Sequence, residues 1–309
     1  MKAGAPFILL TMFAFAARAG TPSESNGATT PFLNTVAIQT FLDRQNLSCG
    51  CIDGVMGART RAALDAWKKR QGVPAAADMN VAMMGSLASV FTVHVVHAGD
   101  DSALVPVPRT WPGKAVVTNL GYETILEAVA EKYHASQGAI RKLNPDAPWP
   151  NPPAGTVLTV PNPEPAPGGK AARLTISLPG KVIEAWDARG ALLARFPCSI
   201  AADKSKRPVG ELAVAVVAPN PNYTFDPAVY MEDPEAQAVG KKLVIPPGPN
   251  NPVGVAWIGL SLPGYGIHGT PKPEDVGVTE SHGCFRLANW NAAKLLNMVA
   301  IGTPVVVTE

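Results

Sequence analysis

Past its N-terminus the sequence has no apolar run approaching the ~18 residues a helix needs to cross a bilayer. It has only four cysteines in 309 residues, too few for a disulfide scaffold. It lacks an excess of either charge, since 26 Lys and Arg stand against 24 Asp and Glu for a net +2. A strongly basic face for phosphate is therefore missing, which argues against nucleic acid as the main partner. Proline (31) and glycine (28) are abundant. They follow no collagen-like period, so they mark turns, short strands and linkers. Hydrophobic residues make up 47%, enough for real cores in two or three domains.

Residues 1–19 read as a secretory signal. Lys2 supplies a positive start, Pro6 to Ala17 is almost unbroken apolar sequence, and Ala17-Arg18-Ala19 has the small-x-small pattern of a cleavage site. A buried N-terminal helix is the alternative, but polar Thr21-Pro22-Ser23 follows at once. No cysteine follows the cleavage site to carry a lipid. The mature chain is expected outside the cytoplasm, in the periplasm or cell wall.

Residues 32–90 read as a small all-α module. Thr35 to Leu42 places apolar residues at helical spacing, Cys49 to Gly54 forms a tight turn, and Thr60 to Trp67 gives a second amphipathic helix. The run Ile52-Asp53-Gly54-Val55-Met56-Gly57-Ala58-Arg59-Thr60 resembles the peptidoglycan-binding domain 1 family; the alternative is a plain three-helix bundle. Cys49 and Cys51 lack a second pair at zinc-site spacing, so a strained local disulfide is the expectation. His94 and His97 follow in an alternating Val/His run, where a strand points the two rings to opposite sides and suggests no metal.

Residues 118–162 read as a small α+β module. Tyr122 to Tyr133 is an amphipathic helix, Ser136 to Leu143 a second that ends at Asn144-Pro145, and Gly155 to Pro161 a closing strand. These features resemble a LysM module, with an opening strand expected near Ala115–Asn119; the resemblance implies binding to N-acetylglucosamine-containing glycan strands. A structural spacer is the alternative. Residues 163–171, rich in proline and then glycine, form a linker.

From 172 to 309 the pattern turns to short β-branched runs: Leu174–Leu178, Val182–Asp187, Leu192–Ile200, Leu212–Val217 and Val305–Thr308. Turn signals separate them, and one helix, Trp290 to Ala300, precedes the last. A mostly-β sandwich or barrel with one helix is predicted. The chain as a whole is therefore multidomain.

The chemistry-bearing segment is Tyr265-Gly266-Ile267-His268-Gly269-Thr270, then, after ten residues, Ser281-His282-Gly283-Cys284-Phe285-Arg286-Leu287. A free thiol has a pKa near ~8.5 and needs a base or positive field to become a nucleophile. His268 precedes Cys284 by sixteen positions, far enough for the loop to fold back and pair them. His282, two residues away, is poorly placed to line up with the thiol, although spacing alone does not decide which histidine is the base. The amides around Gly283 and Cys284, read as lying just before a helix, are candidates to hold an oxyanion. A metal site lacks a fourth ligand. A Cys198–Cys284 disulfide would silence the thiol.

These residues resemble the L,D-transpeptidase family with the YkuD-type catalytic domain. Arg207-Pro208-Val209-Gly210, with Arg in the usual Thr place, and Ile245 through Gly254 add to the likeness. The resemblance implies Cys284 as nucleophile, His268 as base, and the Gly269 carbonyl as the group orienting His268. Ser281, His282, Gly283 and Tyr265 would shape the cleft and oxyanion hole, while Arg286 would hold a substrate carboxylate or brace the turn. It implies a thioester acyl-enzyme on peptidoglycan stem peptides, release of D-Ala and 3→3 cross-links, with hydrolysis or protein attachment as variants. It implies no cofactor and no metal. Rival readings are an L,D-carboxypeptidase only, a catalytically silent wall-binding protein, and a peptidoglycan amidase or endopeptidase. The insertion from Asn220 to Lys242 is either a lid or a passive loop.

Overall fold

The structure, a computed structural model, describes residues 30–76, 90–163, 168–279 and 283–309. The signal expectation at 1–19, the last part of the helical module, much of the linker, and Ser281 and His282 lie outside the described residues. No helix among the described residues is long and apolar enough to cross a membrane.

The described residues open with two helices, α1 (Thr30–Arg44) and α2 (Ala58–Gln71). Leu42, Leu47, Cys49, Ala63 and Trp67 form the core between them. The turn joining them is organised by Gln39, which is only 1% exposed. Its Oε1 accepts from the backbone N–H of Asp53 (3.0 Å) and of Gly54 (2.8 Å), and its Nε2 donates to Asp53 Oδ1 at 2.7 Å. Gly54 has φ +73°, and a Cβ there would lie 2.1 Å from the Phe32 ring, so no larger residue fits. The expected Cys49–Cys51 disulfide is absent: both are free, buried thiols. They face different cores, Cys49 that of the two helices and Cys51 that of Ala288 and Trp290.

The second module contains β1 (Phe91–Val95), α3 (Trp111–Ala115), α4 (Ile125–Lys132), α5 (Gln137–Leu143) and β2 (Val157–Pro161). β1 pairs antiparallel with β2, Phe91 opposite Pro161. The opening strand therefore lies at 91–95, not near 115–119 as expected, because Pro112 starts a helix there and the apolar run 90–96 is the better partner for β2. Thr124 and Ser136 cap α4 and α5 by accepting from Glu127 N–H and Ala139 N–H. The Asn-Pro signal has a physical basis: the Asn144 amide donates to Thr159 O and accepts from Thr159 N–H, tying α5 to β2.

The third region contains β3 (Arg173–Ser177), β4 (Val182–Trp186), β5 (Leu192–Pro197), β6 (Gly210–Pro219), β7 (Tyr223–Phe225), α6 (Pro234–Val239), β8 (Leu243–Ile245), β9 (Ala256–Leu260), β10 (Gly266–His268), β11 (Phe285–Arg286), α7 (Asn289–Met298) and β12 (Pro304–Thr308). Eight strands form one sheet in the order β11-β10-β9-β6-β12-β3-β4-β5. Only β12–β3 and β10–β11 are parallel pairs. Leu174, Ile176, Phe196, Ile258, Ile267, Phe285 and Leu295 fill the core between the curled sheet and α7. The sheet nearly closes, since Ser199, just beyond β5, exchanges both backbone hydrogen bonds with Arg286 of β11 (2.9 and 3.0 Å). The remaining edge of β5 pairs with the first module: Arg195 donates to Asn46 O and accepts from Ser48 N–H.

The 220–242 insertion is folded. β7 and β8 pair, and Phe225, Ala236 and Ile245 pack with Val107, Leu120 and Trp111, whose ring stacks on Phe225 at 4.3 Å.

Candidate active site

β10 and β11 run side by side with Ile267 opposite Phe285 and His268 opposite Arg286. Alternation along a strand sends Ile267 and Phe285 into the core, where both are buried. His268 and Arg286 then share the other face, and one step back the same register sets Cys284 beside Gly266. The imidazole and the thiol thus emerge on one face of two neighbouring strands. Cys284 precedes a two-residue strand, not the helix expected; α7 begins only at Asn289.

His268 is 8% exposed. Its Nδ1 lies 2.6 Å from Gly269 O. A carbonyl only accepts, so Nδ1 carries the proton and Nε2 keeps its lone pair. Trp257 of β9 lies against the ring at 5.8 Å between centroids and 22° between planes. That indole needs Gly266, where a Cβ would fall 2.6 Å from it. Burial lowers His268 to about 4, and the Arg286 charge adds to this while the Gly269 carbonyl opposes it.

The Cys284 thiol donates to Gly264 O at 3.6 Å. Burial raises its pKa, and the Gly266 amide works the other way. Both shifts favour the uncharged form of their group. Cys198 is fully buried, and no disulfide joins it to Cys284.

The remaining expected residues separate by position. Tyr265 lies near Gly283, where an added Cβ would stand 3.9 Å from its ring. Gly269 supplies the carbonyl acceptor for His268. Arg286 Nη2 donates to Thr279 O (3.3 Å) and Ser199 Oγ (3.4 Å). The folded insertion brings the Tyr223 and Tyr230 hydroxyls, 2.7 Å apart, within electrostatic reach of the Cys284 sulfur.

Three residues here had no signal in the sequence reading. Trp257 sits in a strand that was not anticipated. Asn289, 1% exposed, was one residue outside the predicted helix, yet its Oδ1 accepts from Thr270 N–H (3.0 Å) and Val255 N–H (3.2 Å). Glu131 belongs to α4 of the preceding module and meets Asn289 Nδ2 at 3.1 Å.

Residues 171–307 match the L,D-transpeptidase catalytic domain family, YkuD. This stretch of the chain is an L,D-transpeptidase catalytic domain. Curated relatives agree. The chain is 26% identical over 186 residues to a putative L,D-transpeptidase YkuD of Bacillus licheniformis, covering 59% of this chain and 93% of the relative. It is 36% identical over 107 residues to a putative L,D-transpeptidase YqjB of Bacillus subtilis, covering 33% and 52%. A probable L,D-transpeptidase YcfS of Escherichia coli is 26% identical over 216 residues, covering 66% and 68%. The first and third alignments are longer than the catalytic domain, so they take in residues N-terminal to it. In this L,D-transpeptidase domain the closing seam of the sheet, Ser199 against Arg286, adjoins the strand that follows the thiol.

Proposed function

We propose that the domain performs a two-step acyl transfer on peptidoglycan stem peptides, with Cys284 as nucleophile and His268 as base. The observation that carries this reading is the shared face of β10 and β11, with His268 held in the tautomer that leaves Nε2 open to accept a proton. As the sulfur attacks the carbonyl carbon of the third stem residue, Nε2 takes the thiol proton. The C–S bond forms, the amide C–N bond breaks, and His268 passes the proton to the departing D-Ala amine. A thioester remains.

The side-chain amine of a second stem then attacks the thioester, giving a 3→3 cross-link and returning the thiol. Water in its place gives L,D-carboxypeptidase activity, and an amine on a protein gives attachment. The amides near Gly283 and Cys284 hold the oxyanion, with Ser281, His282 and Tyr265 shaping the cleft. One such donor is worth ~3–4 kcal/mol of barrier. The 32–90 and 118–162 modules bind wall glycan outside the cytoplasm, which raises the local concentration of stems without a new catalytic contact.

Purified mature protein and Cys284→Ala are compared on a disaccharide-tetrapeptide by mass spectrometry. Loss of D-Ala with dimers, absent from the variant, is the expected result. Loss without dimers assigns hydrolysis, and no product with no adduct on Cys284 overturns the enzyme mechanism in favour of a silent wall-binding protein.

A further inference from the structure

Asn289 sits at the junction of two modules. Its Oδ1 accepts from Thr270 N–H and Val255 N–H, while its Nδ2 donates to Pro249 O and to both oxygens of Glu131, each at 3.1 Å. The two glycines beside it admit no side chain, because a Cβ on Gly254 (φ +62°) would lie 1.9 Å and one on Gly269 2.2 Å from its Oδ1. Gly269 is also the residue whose carbonyl holds the His268 ring. The chain of contacts therefore runs from a carboxylate on α4, through one amide side chain, to the backbone that fixes the imidazole.

Glu131 is itself held in place. Tyr122 donates to its Oε1 at 3.1 Å, and α4 is docked one turn earlier by Asn250, whose Nδ2 donates to Glu127 Oε1 and Gly121 O. The titratable and charged groups around it are Tyr122 and Glu127 from its own module and Lys272, Glu274 and Asp275 across the shared groove. Burial raises the Glu131 carboxyl to about 7, with Glu127 adding and the Asn289 and Tyr122 hydrogen bonds opposing. A desolvated carboxyl held by specific partners at the edge of a groove is a functional-site candidate.

We propose that Glu131 is a positioning residue for His268, acting through Asn289 on the Gly269–Thr270 backbone, so that the second module completes the active site of the third. This rests on His268 serving as the base. It makes α4 part of the catalytic machinery, beyond any role in holding glycan.

The test uses the mature full chain and reads alkylation of Cys284 by iodoacetamide from pH 5 to 9, by peptide mass spectrometry, beside the melting temperature. Wild type is expected to show an inflection near 7, where Glu131 ionises. Glu131→Gln loses that inflection and reacts roughly tenfold more slowly at pH 8, with a melting temperature no lower than wild type. Asn289→Ala slows alkylation at least as much, and adding Glu131→Ala to it has no further effect. A Glu131→Gln profile superimposing on wild type overturns the proposal, as do multiplicative effects of Glu131→Ala and Asn289→Ala. If Glu131→Ala does not fold, Glu131→Gln decides alone. His268→Asn separates the two levels: unchanged alkylation there sinks the base assignment and this proposal with it. Slowing there without slowing in Glu131→Gln sinks only the role of Glu131.

Discussion

Gly269 and Asn289 meet with no space for a side chain between them, a Cβ on Gly269 lying 2.2 Å from Asn289 Oδ1. Gly269→Ala must move either the carbonyl that holds His268 or the amide that holds Thr270. Overpacking of this kind costs ~1–3 kcal/mol. We expect a lowered melting temperature and at least a tenfold fall in D-Ala release with KM little changed. Wild-type turnover in this variant would show that the carbonyl needs no fixed place.

The pH behaviour follows from two opposed shifts. His268, lowered from 6.5 to about 4, stays neutral down to that pH, so its own acid limb in the acylation rate lies near 4. Between 6.5 and 4 the unfolded chain binds a proton that the folded chain refuses, so stability is lost as pH falls through that window, by on the order of 3 kcal/mol. Glu131, raised from 4.5 to about 7, keeps a proton that the unfolded chain loses, so its contribution falls as pH rises through that window. Melting temperature against pH should tilt one way in His268→Asn and the other in Glu131→Gln. Parallel curves for wild type and both variants would refute the pair of shifts.

Cysteine labelling distinguishes the four thiols. Cys49, Cys51 and Cys198 are buried, while Cys284 is partly exposed. Native protein treated with iodoacetamide without reductant should take one label, on Cys284, and urea-unfolded protein four. Only two labels after unfolding would mean a disulfide, against the free Cys49 and Cys51 described above.

Asp43 ties all three regions together. Its Oδ2 accepts from His134 Nδ1 at 2.7 Å and Lys294 Nζ at 2.9 Å, and its side chain is 1% exposed. Burial alone would raise this carboxyl, but Lys294 and His134 hold it well below the usual carboxylate range. Its stabilisation is present above pH ~3.8 and is lost as pH falls below it. Asp43→Ala leaves Lys294 buried without its partner and should cost ~3–5 kcal/mol in urea unfolding. A change under ~1 kcal/mol would reduce the cluster to a surface-like pair.

The sequence made the strands of the third region legible through β-branched alternation, and five of them fall within a few residues of where they were expected. His268 and Cys284 were legible because glycine and histidine flank a lone cysteine in one compact pattern. Short strands such as Gly266–His268 and Phe285–Arg286 were not, since two or three residues carry no period. Gln39, Asn289 and Glu131 were invisible for another reason: the first two act on backbone and the third on a side chain well removed in the chain, and an amide or carboxylate on a helix looks the same whether it faces solvent or a distant loop. The opening strand of the second module was misplaced because its partner lies more than sixty residues downstream.

The pairing of Asn46–Ser48 with Arg195 has a consequence for anyone who trims the protein. Cut at residue 171, the catalytic domain would keep its core and its thiol but show β5 as a bare row of donors and acceptors, open to another copy. In the whole chain that row is already spoken for by a segment from the same polypeptide. The protein is thereby kept from being joined, strand to strand, to another copy of itself.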